Sequence, residues 1–243
     1  MSSSPGAGAL PVLQQATATI PMVAAYSTDP VGNGLVASLA HPGATPDWFS
    51  SSDDTSPKQL ELLITVAPGT SRVGLLGNPN SPTYSAVFNG AQNAGRKVNL
   101  SVVPVEARNP EEIKNAFAML TKERRVTSDA TFFRHRQRIA DLALESRLPT
   151  IFSLRDYAEA GGLMSYGEDL ADFFHRAATF VDKIFKGANP GNLPMEQPTL
   201  FKLVINRKTA DALSLSVAVL HLLASAIGRY CCKSILGGLS EQY

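Results

Sequence analysis

Arg72-Val73-Gly74-Leu75-Leu76-Gly77-Asn78-Pro79-Asn80-Ser81-Pro82 is the stretch that decides the fold. A short, unbroken apolar run stops in a polar, proline-marked turn, and a helix is predicted to run from that turn to about Ala94, with Gly95 suited to its C-cap. An apolar run without alternation is the mark of a strand covered on both faces, as in a parallel sheet.

Working outward, the same rhythm repeats. Upstream, Ser56-Pro57-Lys58-Gln59 predicts a helix start, with Ser56 as N-cap, Pro57 at the first helical position and Gln59 closing a capping box. Leu60, Leu63 and Ala67 form its apolar stripe, and Pro68-Gly69 stops it. Downstream, Asn99 to Val105 reads as a strand. Asn109-Pro110-Glu111-Glu112 opens a capped helix that buries Ile113, Phe117 and Leu120. The charged Lys122 to Thr127 then breaks the alternation, and the strand due before Ser128-Asp129 looks largely missing. A helix from about Thr131 to Ser146, a strand at Pro149 to Leu154 and another at Gly162 to Gly167 follow. A long amphipathic helix, Glu168 to Lys186, carries Leu170, Phe173, Phe174, Ala177, Val181 and Ile184 and ends at Gly187. Leu200 to Ile205 is the last strand. On the other side, Ile20 to Tyr26 reads as a buried strand ending in the turn Ser27-Thr28-Asp29-Pro30. Val31 to Leu39 reads as a short helix, and His41 to Thr55 as a linker. Alternating helices and apolar strands predict an α/β fold of right-handed βαβ units.

Composition narrows the function classes. The 243 residues carry Lys+Arg 22 against Asp+Glu 21, a formal net charge of +1, without the basic excess of a nucleic-acid surface. Cys231 and Cys232 are adjacent, which rarely suits a disulfide, and no zinc spacing accompanies them. The four histidines, His41, His135, His175 and His221, form no metal motif, and no nucleophile elbow, phosphate-binding loop or dinucleotide fingerprint occurs. No catalytic residue, metal or cofactor is expected. The most apolar stretch, Leu213 to Ile227, is too short and too interrupted to span a bilayer. Met1 to Ala9 has neither the basic nor the long apolar region of a secretory leader.

In open parallel sheets ligands bind beyond the carboxyl ends of the strands. The residues at those places are Ser27, Thr28 and Asp29, then Asn78, Ser81 and Thr83, then Asp129, then Arg155, Asp156 and Tyr157. Hydroxyls, amides and isolated carboxylates of this kind suit hydrogen-bonded capture of a small polar molecule. A helix starting near Ser81 would offer free N–H groups to an anion, and Asp29 or Asp129 could hold an ammonium group. Ser81, Thr83 and Asp129 equally read as helix caps, and Asp29 as a turn residue.

These segments together resemble the ABC transporter substrate-binding proteins of the tryptophan/tyrosine-binding type. The resemblance is carried by Ile20-Pro21-Met22-Val23 through Asp29-Pro30-Val31-Gly32-Asn33-Gly34, by Ser56 to Leu63, and by Arg72 to Pro79. Phe132-Phe133-Arg134-His135-Arg136 with Ile139 to Ala143, Tyr157 to Gly167, Val181 to Ile184 with Gly187-Ala188, and Leu193-Pro194 to Gln197-Pro198 continue it. It spans about residues 14 to 213. It implies two Rossmann-like lobes of parallel sheet flanked by helices, like a type I periplasmic binding protein, closing on a ligand. It also implies an extracytoplasmic location, with an ABC permease and ATPase as partners. By resemblance Ser27 and Asp29 lie at the cleft edge of the first lobe, and Asn78, Ser81 and Tyr84 at that of the second. Asp129 takes the place where the family's aspartate meets a ligand amino group, and Tyr157 and Tyr166 stand near the returning strands, where they could stack on a ligand.

Measured against that family, the chain begins partway into the first lobe, which is expected to be incomplete, and from Val217 the sequence looks unrelated. The expected division is a partial first lobe over 1–55, a second lobe over 56–155, a return to the first lobe and hinge over 156–213, and a divergent tail over 214–243. The expected function is capture of a small, amino acid-like ligand, not catalysis. The alternatives are a truncated, non-functional remnant of the family and the sensor domain of a transcription regulator; if the start is real, the missing leader implies a cytoplasmic chain.

Overall fold

The computed structural model describes residues 20, 23, 27–28, 50–51, 55–81, 84–120, 124–127, 130–193, 201–215 and 232–235. The chain divides into two compact units. Met1–Asp53 with Asp169–Thr199 forms the first, and Asp54–Glu168 with Leu200–Tyr243 the second. The chain thus passes between units at residues 53/54, 168/169 and 199/200.

The second unit is built on a seven-stranded sheet. Its strands are β3 (Arg72–Gly77), β4 (Ser101–Glu106), β5 (Arg124–Thr127), β6 (Thr150–Phe152), β7 (Met164–Glu168), β8 (Phe201–Asn206) and β9 (Cys232–Ile235), in the order β4-β3-β5-β6-β7-β8-β9. All neighbours are parallel except β7 and β8, which run antiparallel with Glu168 opposite Phe201. The charged segment Arg124–Thr127, which read as a missing strand, is the central β5: Val126 pairs with both Leu75 and Ile151. Its backbone ladder on two sides holds what its composition does not advertise. Likewise Cys232–Ile235, inside the expected divergent tail, pairs with β8.

Helix placement follows from the strand order. From β3 the chain steps outward to β4 through α2 (Tyr84–Lys97), then returns across β3 to β5 through α3 (Pro110–Met119) and moves on through α4 (Arg136–Glu145) and α5 (Arg155–Glu159). Right-handed crossovers in opposite directions must lie on opposite faces. Accordingly Val73 and Leu75 pack with α1 (Ser56–Val66) and α2 through Leu60, Leu63, Ala91 and Ala94. The neighbouring Leu76 packs on the other face with Ile113, Phe117, Ile139 and Tyr157. Gly95 is no C-cap. It lies within α2, where a β-carbon would come 2.8 Å from the Leu100 carbonyl oxygen. The helix instead unwinds at Asn99, whose φ is 56°.

At the outer strand, the Ser101 and Ala107 N–H groups donate to the Ser71 and Gly77 carbonyls. With a period of two, Pro104 turns its ring nitrogen away from β3, the one orientation an edge strand tolerates for proline. The capped helix start at Asn109 is as expected: its Oδ1 accepts from the Glu112 N–H at 2.9 Å, and its Nδ2 donates to the Glu112 carboxylate. At α1 the expectation fails. Thr55 stands at the N-cap, and Gln59 closes no capping box but is buried.

In the first unit, β1 (Ser27–Thr28) pairs parallel with β2 (Ser50–Ser51). Ser27 and Thr28 are therefore strand, not turn, and the expected linker contains a strand. Ile20 is exposed and outside any strand, which corrects its reading as buried, and most of 20–26 lies outside the described residues. α6 (Leu170–Phe185) starts at Asp169, whose carboxylate accepts from the Ala171 N–H. It buries Phe173, Ala177 and Phe180, with Val23, Leu170, Ile184 and Leu193 against them. Phe174, expected in the buried stripe, is 53% exposed, and Phe185 is 86% exposed.

Candidate functional site

Strand order locates the crevice of the second unit. Connections from β3 leave toward β4, and those returning to β5 pass to its other side, so the order reverses between β3 and β5. Outside the carboxyl ends at such a reversal, no helix covers the strand tips, and ligands enter there. Leu76 pairs with Thr127, so β3 and β5 end side by side there.

Asn78 is buried, and its Oδ1 accepts from the Asn80 N–H at 3.0 Å. Its carbonyl accepts from the Ser81 N–H, and the Ser81 carbonyl from the Tyr84 N–H, which winds the loop into α2. The described part of the helix begins at Tyr84. The Tyr84 ring lies against Gly77, where a β-carbon would meet it at 2.5 Å, and stacks on Phe88. Glycine at the last position of β3 is what admits the ring. The Tyr84 hydroxyl donates to Glu106 Oε1 at 3.2 Å, and Arg108 bridges Glu106 and Glu112. Burial, with the Glu106 carboxylate adding to it, raises the Tyr84 phenol above its ordinary value, so it stays a neutral donor.

Sequence reasoning missed Glu106 and Arg108. The usable signal was the rule applied to the other strands, but β4 was expected to end one residue early, at Val105. Of the expected residues, Asn78, Ser81 and Tyr84 come together. Ser27 and Thr28 belong to the first unit, and Thr83, Asp29 and Asp129 lie outside the described residues. Tyr157 is 3% exposed, its ring stacked 4.7 Å from Phe152 and edge-on to Phe133, so it serves as core packing and not as an open stacking face. Tyr166 is half-buried in β7, stacks on Phe201, and is shifted upward by burial and then by Glu61. No set of three His, Cys, Asp or Glu side chains among the described residues could hold a metal ion.

A family model described as ABC transporter substrate binding protein matches residues 5–226. The chain belongs to that family. The match runs beyond Leu213, where the sequence alone seemed to leave the pattern. A tyrosine-binding protein of Clostridioides difficile is 26% identical over 207 residues, which cover 82% of this chain and 59% of that protein. The chain thus spans less than two thirds of the curated relative's length. A solved conserved domain protein from Vibrio cholerae superposes with a TM-score of 0.78 at 26% identity, covering 87% of this chain and 73% of the other. An ABC domain from Streptococcus pneumoniae, solved in complex with L-Trp, gives 0.77 at 24% identity, covering 88% and 75%. The fold is that of the periplasmic binding proteins. Among the described residues no helix is long and apolar enough to cross a membrane.

Proposed function

We propose that the chain captures a free aromatic amino acid for an ABC transporter. The observation that carries this is the polar turn of Asn78, Ser81 and Tyr84 that follows β3, the strand beside the strand-order reversal of a family member. Supporting it are the tyrosine-binding relative and the L-Trp complex of a structural neighbour. Asp129 at the end of β5 would hold the ligand ammonium, Asn78, Ser81 and Thr83 would contact its carboxylate, and Tyr84 and Tyr166 would face its ring. Ser27, Thr28 and Asp29 would supply the first lobe's share as the lobes close. The partners would be a permease and its ATPase, and the place of work outside the cytoplasm.

Calorimetric titration with L-tryptophan and L-tyrosine tests this. Saturable heat is expected, weakened at least about tenfold by Asn78→Ala, a change of about 1.4 kcal/mol. A sample that melts cooperatively yet gives no heat with any amino acid would sink the proposal.

A further inference from the structure

Two of the three places where the chain enters or leaves the second unit are joined by one buried side chain, and the third stacks on a residue it holds. Gln59, in the first turn of α1, is 1% exposed. Its Nε2 donates to the Tyr166 carbonyl at 2.8 Å and also reaches Thr55 Oγ1 at 3.5 Å. Thr55 follows the first passage, at 53/54, and Tyr166 precedes the second, at 168/169. Tyr166 in turn stacks on Phe201, ring centroids 5.9 Å apart, and Phe201 follows the third passage, at 199/200.

The backbone explains why a donor is needed there. β6 pairs with β7 only as far as Ser165, so the Tyr166 carbonyl lies one residue past the end of that ladder. Next to it, Gly167 runs so close to Ser153 that a β-carbon would overlap the Ser153 carbonyl oxygen. A buried carbonyl at the end of a ladder requires a partner, and the Gln59 amide supplies one from a helix instead of a strand. A primary amide is a poor choice for helix packing alone. Leu60, Leu62 and Leu63 surround that position in sequence, and an apolar side chain of equal length would bury with no desolvation cost. Helix capping does not need it either, since α1 closes no capping box.

We propose that Gln59 is a positioning residue for the interdomain passages, fixing the first crossing to the returning pair β7–β8 so that the three move as one block. Its consequence for ligand capture rests on the function proposed above, whereas the coupling of the passages does not.

Hydrogen exchange by mass spectrometry on the full chain, without ligand, tests the coupling. Gln59→Met keeps length and packing but removes the donor, and Gln59→Leu provides a second apolar form. The expected result in either is exchange about tenfold faster at residues 54–56, 166–168 and 200–202, with β3 residues 73–76 unchanged. Unchanged exchange at all three passages overturns the proposal, as does acceleration at only one of them. Equal acceleration of the β3 amides also overturns it, since that is general loosening. If wild-type protein takes up L-tryptophan, the Met variant should bind it several-fold more weakly. Absence of uptake by the wild type would reject the proposed function and leave the exchange result standing.

Discussion

Phe117 and Phe174 both lie on helices with an apolar stripe, and only one is in a core. Phe117 lies on α3 of the second unit, where helices cover both faces of a seven-stranded sheet, and is almost fully buried. Phe174 lies on α6 of the first unit, beside the buried Phe173, and more than half its surface meets solvent. Apolar periodicity announces a helix in both places. Burial, however, is decided by what is packed opposite, and that depends on parts of the chain far away in sequence.

The sharpest way to break this contrast is to make the same deletion in both units. Phe117→Ala should cost about 3–5 kcal/mol in urea denaturation, and Phe174→Ala less than about 0.5 kcal/mol. Equal losses would mean that the outer face of α6 is covered after all. Gly77→Ala comes next. It drives the Tyr84 ring from its seat and should cost about 1–3 kcal/mol, with ligand uptake reduced in parallel. A smaller experiment should erase the contrast. Asn109 and Asp169 cap helices in different units by the same bond to a backbone N–H. Each alanine variant should lose about 1 kcal/mol, because a cap acts locally and is indifferent to the core beneath it.

The smallest effect is a pH slope confined to the second unit. Tyr84 and Tyr166 both have phenols raised above the ordinary value of 10.0 by burial. The folded chain therefore holds these protons more tightly than the unfolded one. Their contribution is complete below pH 10 and is lost as pH rises through the folded values. The denaturation midpoint should fall above pH 10 in the wild type and fall less steeply in the Tyr84→Phe, Tyr166→Phe double variant.

Features encoded within a few residues were legible in the sequence. The Asn109 cap with Glu112, the β3 apolar run and the end of α6 at Gly187, with φ of 95°, all follow from local chemistry. What escaped was written at long range. Arg124–Thr127 is a central strand because β3 and β6 flank it, although its own residues argue for a solvated loop. Gly95 looks like a helix terminus until β4 is laid against it. Gln59 fits a capping box by spacing, yet its amide is directed to a carbonyl 107 residues away. The site divides the same way. Asn78 and Tyr84 lie within one loop-to-helix turn and were found, but Glu106 joins them only through strand pairing.

Pro104 carries a consequence of another kind. The outermost strand offers no hydrogen at that place to any polypeptide that might lie down alongside it. A strand arriving on this flank would find one ladder donor missing between those of Val102 and Glu106, which weakens growth of the sheet there.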